Sequence, residues 1–142
     1  MPNMQNGFRI LDHTADIGLE ARGADLTELF SNAARGMFSI IASLETVQST
    51  KQFSLELTAD NLEDLLVNWL GELLYLFSAK QIIFSRFEIV GIDDHHILAK
   101  ARGEPIDQSR HILYTEIKAV TYNDLKVQKL GQGWIARVLF DI

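Results

Sequence analysis

Five consecutive residues, Asp12-His13-Thr14-Ala15-Asp16, place two carboxylates, an imidazole and a hydroxyl between two apolar runs, Phe8 to Leu11 and Ile17 to Ala21. At a bend, such a cluster is either turn chemistry, with Asp and Thr bonding their own backbone, or an oxygen-rich cation site. Carboxylates with a carbonyl or hydroxyl suit a hard ion such as Ca²⁺, Mg²⁺ or Mn²⁺, whereas zinc asks for more His or Cys. One loop offers too few ligands. The far end of the chain can supply the rest, because the sequence ends Phe140-Asp141-Ile142 and sets a side-chain carboxylate beside a terminal one. Acids brought together repel, and a cation relieves that repulsion. The plainer reading of Asp141 is a solvated last residue. The alternation of Trp134, Ala136, Val138 and Phe140 opposes it, since strand character runs almost to the end. The two ends are therefore expected to meet.

Lys118, in Ile117-Lys118-Ala119-Val120-Thr121-Tyr122, shares a predicted strand face with Glu116 and Tyr122. It is either a strand lysine paired with Glu116, which is worth little, or a cationic contact to a partner or phosphate. His95 and His96 fall in a predicted hairpin and read as surface; His111 follows a loop, and the sequence leaves its role open. Trp69 and Trp134 read as core. No Ser/His/Asp set is arguable, and Gly131-Gln132-Gly133 leads into a strand rather than a helix, so it is no phosphate loop.

A chain of 142 residues with 47% hydrophobic and 23% charged residues fits one globular domain, residues 1–142. Having no cysteine, it excludes disulfides, thiolate zinc sites and a cysteine nucleophile. Met1 to Gly7 carries no basic-then-apolar signal. The apolar stretch from Leu62 to Phe77 is broken by Glu63, Asp64, Asn68, Gly71 and Glu72 and reads as a buried helix, not a membrane span. A cytoplasmic setting is expected. The net charge of −6 disfavours gripping a nucleic acid backbone.

The elements that must hold the cluster follow from periodicity. Strands are predicted at Phe8 to Asp12 and at Ile17 to Arg22. A helix opens at Asp25, with Glu28 at capping-box spacing, and runs to Ile41. Its wet face is expected to be Thr27, Glu28, Ser31, Asn32 and Arg35, with Gly36 permitting close approach to a sheet. Phe53 to Thr58 is a third strand. Asp60 and Glu63 repeat the capping spacing before a second helix that reaches about Ser78. That helix is apolar nearly all round, so it is buried on several sides or covered by a partner. Gln81 to Ile92 and His96 to Arg102 flank a turn at Asp93-Asp94-His95. Gly103 to Arg110 is expected to be a mobile loop. Leu113 to Tyr122, Leu125 to Leu130 and Trp134 to Phe140 are predicted strands, with turns at Asn123-Asp124 and at Gly131-Gln132-Gly133. The class is α+β: a largely antiparallel β-sheet with two helices packed on one face.

Three stretches, Leu11-Asp12-His13-Thr14-Ala15-Asp16-Ile17-Gly18, Lys118-Ala119-Val120-Thr121-Tyr122, and Trp134 with the final Asp141-Ile142, resemble the archease family in order and spacing across essentially the whole chain. The resemblance implies a non-enzymatic cofactor protein that activates an RtcB-type RNA ligase. It would promote guanylylation of the ligase and multiple turnover in tRNA splicing or RNA repair. It also implies a divalent cation, Ca²⁺ first with Mg²⁺ or Mn²⁺ as alternatives, on Asp16, Asp141 and the Ile142 carboxylate. Lys118 matches a position implicated in activation, and Asp12 and His13 belong to the motif in supporting places. Asn123 departs from the His that several relatives carry after the Tyr, which bears on the partner surface. One rival is a general chaperone or protein-binding module, suggested by the over-apolar second helix. Another is a metal-dependent hydrolase, for which no general base or nucleophile is identifiable.

Overall fold

The computed structural model describes residues 7–12 and 15–142, with only the backbone of Asp12. Strands β1 (Phe8–Asp12), β2 (Asp16–Gly23), β6 (Ala119–Leu130) and β7 (Gly133–Asp141) form one sheet, in the order β1-β2-β7-β6. Strands β3 (Lys51–Thr58), β4 (Ile82–Ile92) and β5 (His96–Pro105) form a second, ordered β3-β5-β4. All pairings are antiparallel. The expected α+β class holds. The strands divide between two sheets, and helices α1 (Leu26–Ile41) and α2 (Leu62–Lys80) each touch both.

Asp25 caps α1, its Oδ1 accepting from Glu28 N at 2.8 Å, while Glu28 Oε1 reaches back to Ala24 N at 3.1 Å. Gly36 lies on the face of α1 that meets the sheet. A Cβ there would stand 2.6 Å from Leu19 Cδ1, so the close approach expected of this glycine is real. The wet face of α1 is narrower than expected: Asn32 is buried, and its Nδ2 donates to Arg22 O at 2.8 Å. Asn61, not Asp60, caps α2 by accepting from Asp64 N at 2.8 Å. The apolar girth of α2 is largely covered by the chain itself, with Leu65, Leu66, Trp69, Leu70, Leu73 and Leu74 buried. Trp69 is core, as expected, and its Nε1 donates to Phe30 O at 3.0 Å. Trp134 is only half-buried and carries Lys129 Nζ over its ring at 5.7 Å.

Three corrections concern the β region. The predicted mobile loop at Gly103 begins as strand: β5 runs on to Pro105, with Gly103 pressed against the Ile83 backbone where no Cβ fits. Residues 113–118 form no extended strand. Without a strand to pair with, this backbone bonds to the end of α1, with Tyr114 N donating to Ile41 O at 2.8 Å, and keeps one isolated bridge, Ala42 to Leu113. Asn123-Asp124 is not a turn but an irregularity inside β6. The register slips between Thr121 and Lys126, and Asp124 takes φ +57° to absorb the extra residues. Among the described residues no helix is long and apolar enough to cross a membrane.

Candidate functional site at the strand ends

Hairpin β1–β2 sets Asp12 opposite Ile17, so the acidic segment between them is a strand-to-strand connection, as its composition suggested. The chain then returns as its last strand. β7 pairs with β2 so that Asp16 and Asp141 are direct cross-strand partners. Facing residues in such a ladder hold their Cβ atoms about 5 Å apart, and like charges placed so oppose the pairing. Asp16 is part-buried, with Oδ1 shut off from solvent, and Asp141 is exposed. On the other side of β7, Asp141 pairs with Ala119, and Lys118 N donates to Asp141 O at 2.7 Å. The backbone of Lys118 is thereby tied to the acidic pair, and its side chain is exposed. The described residues show no Lys118–Glu116 ion pair. The structure thus brings Asp16, Asp141, Ile142 and Lys118 to one end of one sheet. His13 lies outside the described residues, as does the side chain of Asp12.

Among the described residues no three His, Asp or Glu side chains converge closely enough to hold a metal ion. A cation here would rest on the Asp16 and Asp141 carboxylates and on main-chain oxygen at Ile142. That set of hard oxygen donors fits Ca²⁺ or Mg²⁺ and does not fit zinc.

Strand alternation carries the face of Asp16 on to Gly18 and Glu20. Glu20 is 2% exposed although its place in the sequence reads as a wet position. Cross-strand partners on both sides explain it. Arg9 of β1 clasps it with Nε–Oε1 at 2.9 Å and Nη2–Oε2 at 3.1 Å, and Arg137 of β7 adds Nη2–Oε2 at 3.3 Å. Burial alone would raise the Glu20 pKa; the hydrogen bonds from Arg9 and Arg137 and the charges of Arg9 and Arg22 outweigh it and leave it below the ordinary value. The register of the first hairpin, once fixed by its turn, was the signal that puts Arg9 opposite Glu20.

A second polar knot was hidden in the stretch read as a loop. Glu104 is 5% exposed and accepts from Arg110 Nη1 at 2.8 Å, Gln48 N at 2.6 Å and His111 Nε2 at 2.9 Å. The hydrogen bond from Arg110, working against desolvation and helped by the Gln48 N–H and His111, holds its carboxyl at about 2. His111 Nδ1 accepts from Asp107 N at 2.9 Å, so Nε2 carries the proton given to Glu104. His111, open in the sequence, is thus a buried tie. His95 is exposed as expected, while His96 is part-buried with Nε2 2.6 Å from Glu56 Oε2.

With this geometry in place, comparison with known proteins is informative. The family model described as "Archease protein family (MTH1598/TM1083)" matches residues 8–142. The "Protein archease" of Methanosarcina mazei is 42% identical over 146 residues, covering 100% of both chains. That of Pyrococcus furiosus is 36% identical, covering 92% of this chain and 95% of its own. The solution structure of Methanobacterium thermoautotrophicum protein 1598 superposes with a TM-score of 0.83 at 35% identity, covering 97% of this chain and 100% of that one. The Thermotoga maritima crystal structure described as "an archease, possible chaperone" shares the fold, with a TM-score of 0.64 at 24% identity over 93% of this chain and 94% of that one.

Proposed function

The chain belongs to the archease family, and from that premise we propose that it activates an RtcB-type RNA ligase as a protein cofactor rather than acting as an enzyme. In this reading it promotes guanylylation of the ligase and multiple turnover, in tRNA splicing or RNA repair. The observation that carries the proposal is the register match of Asp16 with Asp141, with Lys118 bonded to the same residue. Two acids facing each other across a ladder cost stability in isolation. A cation on Asp16, Asp141 and the Ile142 carboxylate would neutralise them and let this end of the sheet approach a polyphosphate or metal-bearing partner site. The exposed cation of Lys118 lies beside them to engage an acidic group of the ligase.

A single-turnover guanylylation assay with the ligase of the same organism, GTP and divalent metal tests this. Wild type should stimulate, and Asp16→Ala should lose at least about tenfold of the stimulation, the equivalent of one charge-assisted contact. Full stimulation by Asp16→Ala would end the proposal.

A protein-binding or chaperone reading draws on a different feature. Ile112, Leu113 and Tyr114 are consecutive and 53%, 43% and 62% exposed, on the irregular segment that leads to Lys118. That reading predicts suppression of aggregation of unrelated proteins, unaffected by Asp16→Ala or by chelation of divalent metal.

A further inference from the structure

The chain has 13 Lys and Arg residues, and four of them surround one groove at the β4 edge of the second sheet: Arg35 of α1, Arg86 of β4, and Lys100 and Arg102 of β5. Ser31, Ser85, Phe87 and Glu88 complete a space of about 250 Å³. In a protein of net charge −6, this is a concentrated reversal of sign.

The strand register sharpens it. Arg86 and Arg102 are direct cross-strand partners, a like-charge pairing that opposes the ladder. A bulge between Phe84 and Arg86 removes Ser85 from the ladder beside them, and bulges of this kind re-aim side chains at sites. The Ser85 hydroxyl stands 3.2 Å from that of Ser49. Counter-charge within the groove comes from Glu88, the direct cross-strand partner of Lys100. Arg102 Nη2 reaches Glu88 Oε1 at 3.4 Å, with the Glu88 side chain 55% exposed, and Arg102 Nε donates to the neutral Gln52 Oε1 at 3.0 Å. Glu88 is the one carboxylate that lines the groove beside Arg86, Lys100 and Arg102.

We propose that this groove binds a phosphate monoester, its phosphoryl oxygens held by Arg86, Lys100 and Arg102, with Arg35 and the serine hydroxyls around it. Guanidinium forks match the planar faces of a phosphoryl group two oxygens at a time, and the lysine adds a point charge. A doubly charged monoester uses this set of cations more fully than a singly charged diester. Glu88 sits where the anion arrives and sets the affinity low by repulsion. The groove is on the sheet that does not hold the Asp16–Asp141 pair, and the inference stands whether or not that pair serves a ligase.

Calorimetric titration of the full chain tests it, with pyrophosphate, a short oligoribonucleotide ending in a 3′-phosphate, and the same oligonucleotide ending in a 3′-hydroxyl as probes. Pyrophosphate and the 3′-phosphorylated oligonucleotide should bind. Arg86→Gln and Arg102→Gln should each weaken binding about tenfold, one charge-assisted hydrogen bond. Glu88→Gln should tighten it about threefold, as removal of a weak exposed charge. Tighter binding of the 3′-phosphorylated oligonucleotide supports the proposal and identifies a polynucleotide end as the source; tighter binding of pyrophosphate, an anhydride that carries no ester, overturns it. The proposal is overturned if neither phosphate probe binds at millimolar concentration, if the arginine variants bind as wild type, if Glu88→Gln leaves affinity unchanged, or if the 3′-hydroxyl oligonucleotide binds as well as its phosphorylated twin.

Discussion

The strand-end pair and the Glu104 knot both set carboxylates beside a cationic residue and treat them in opposite ways. At Glu104 both carboxylate oxygens are engaged, by Arg110, the Gln48 N–H and His111, and His111 is itself tied to the Asp107 N–H. Nothing there is left to offer a ligand. At the strand ends, Asp16 and Asp141 are set face to face by the register, and Asp141 is open to solvent. The carboxyl held farthest from its ordinary value is therefore the structural one. A strongly shifted acid marks dense polar packing, and only its surroundings decide whether that packing serves chemistry or cohesion.

The difference can be broken first at the knot. Glu104→Gln takes the charge from a buried acceptor shared by the exposed Arg110 guanidinium, the Gln48 N–H and His111, and should destabilise the fold by about 3 kcal/mol, the upper value for hydrogen bonds to a charged group. For a chain of this size that is a fall in Tm of about 10 °C by calorimetry. Ligase stimulation below the melting range should be unchanged, and its loss in a folded Glu104→Gln protein would make the knot part of the site.

Acid separates the two regions next. The Glu104 carboxyl is held at about 2 in the folded chain against an ordinary 4.5. Its folded value is lowered, so the stability it adds is fully present above about pH 4.5 and disappears as pH falls toward 2. Glu20, also lowered, acts in the same direction. The urea midpoint followed across that range should fall with falling pH in wild type, and less so in Glu104→Gln.

The smallest effect is expected at the strand ends. Asp141→Asn removes a like-charge contact and should shift stability by no more than about 0.5 kcal/mol without added metal, toward greater stability. Lys118→Ala, at an exposed side chain, should stay within the same bound. A loss of several kcal/mol in either would show that these residues hold the sheet together.

The sequence was most informative where one period or one cap decides an element. The strand alternation from Trp134 to Phe140 and the Asp25–Glu28 spacing gave β7 and the start of α1, and with β7 came the meeting of the two ends. It misled where non-local contact decides. Leu113 to Lys118 alternates like a strand yet finds no strand to pair with and bonds to the end of α1 instead. Gly103-Glu104-Pro105 reads as a loop because Gly and Pro punctuate it, but the Ile83 backbone and the Arg110 guanidinium make it strand and core. The pairing of Asp16 with Asp141 was legible because each lies at the end of a patterned strand. The Arg9–Glu20–Arg137 row was not, since its Arg137 half depends on the β2–β7 register between strands far apart in sequence, and the basic groove was not, since a bulge in β4 sets which side chains face each other across β4 and β5.

Calcium titration by calorimetry reads whether Asp16 and Asp141 act as one unit to hold a cation. Wild type and Glu104→Gln should bind with similar affinity. Asp16→Asn, Asp141→Asn and the double variant should all lose binding by at least about tenfold, with the double variant little worse than either single one, as expected of two groups that share a ligand. Undiminished binding by both single variants would contradict the account and return the Asp12–Asp16 segment to the chemistry of an ordinary turn.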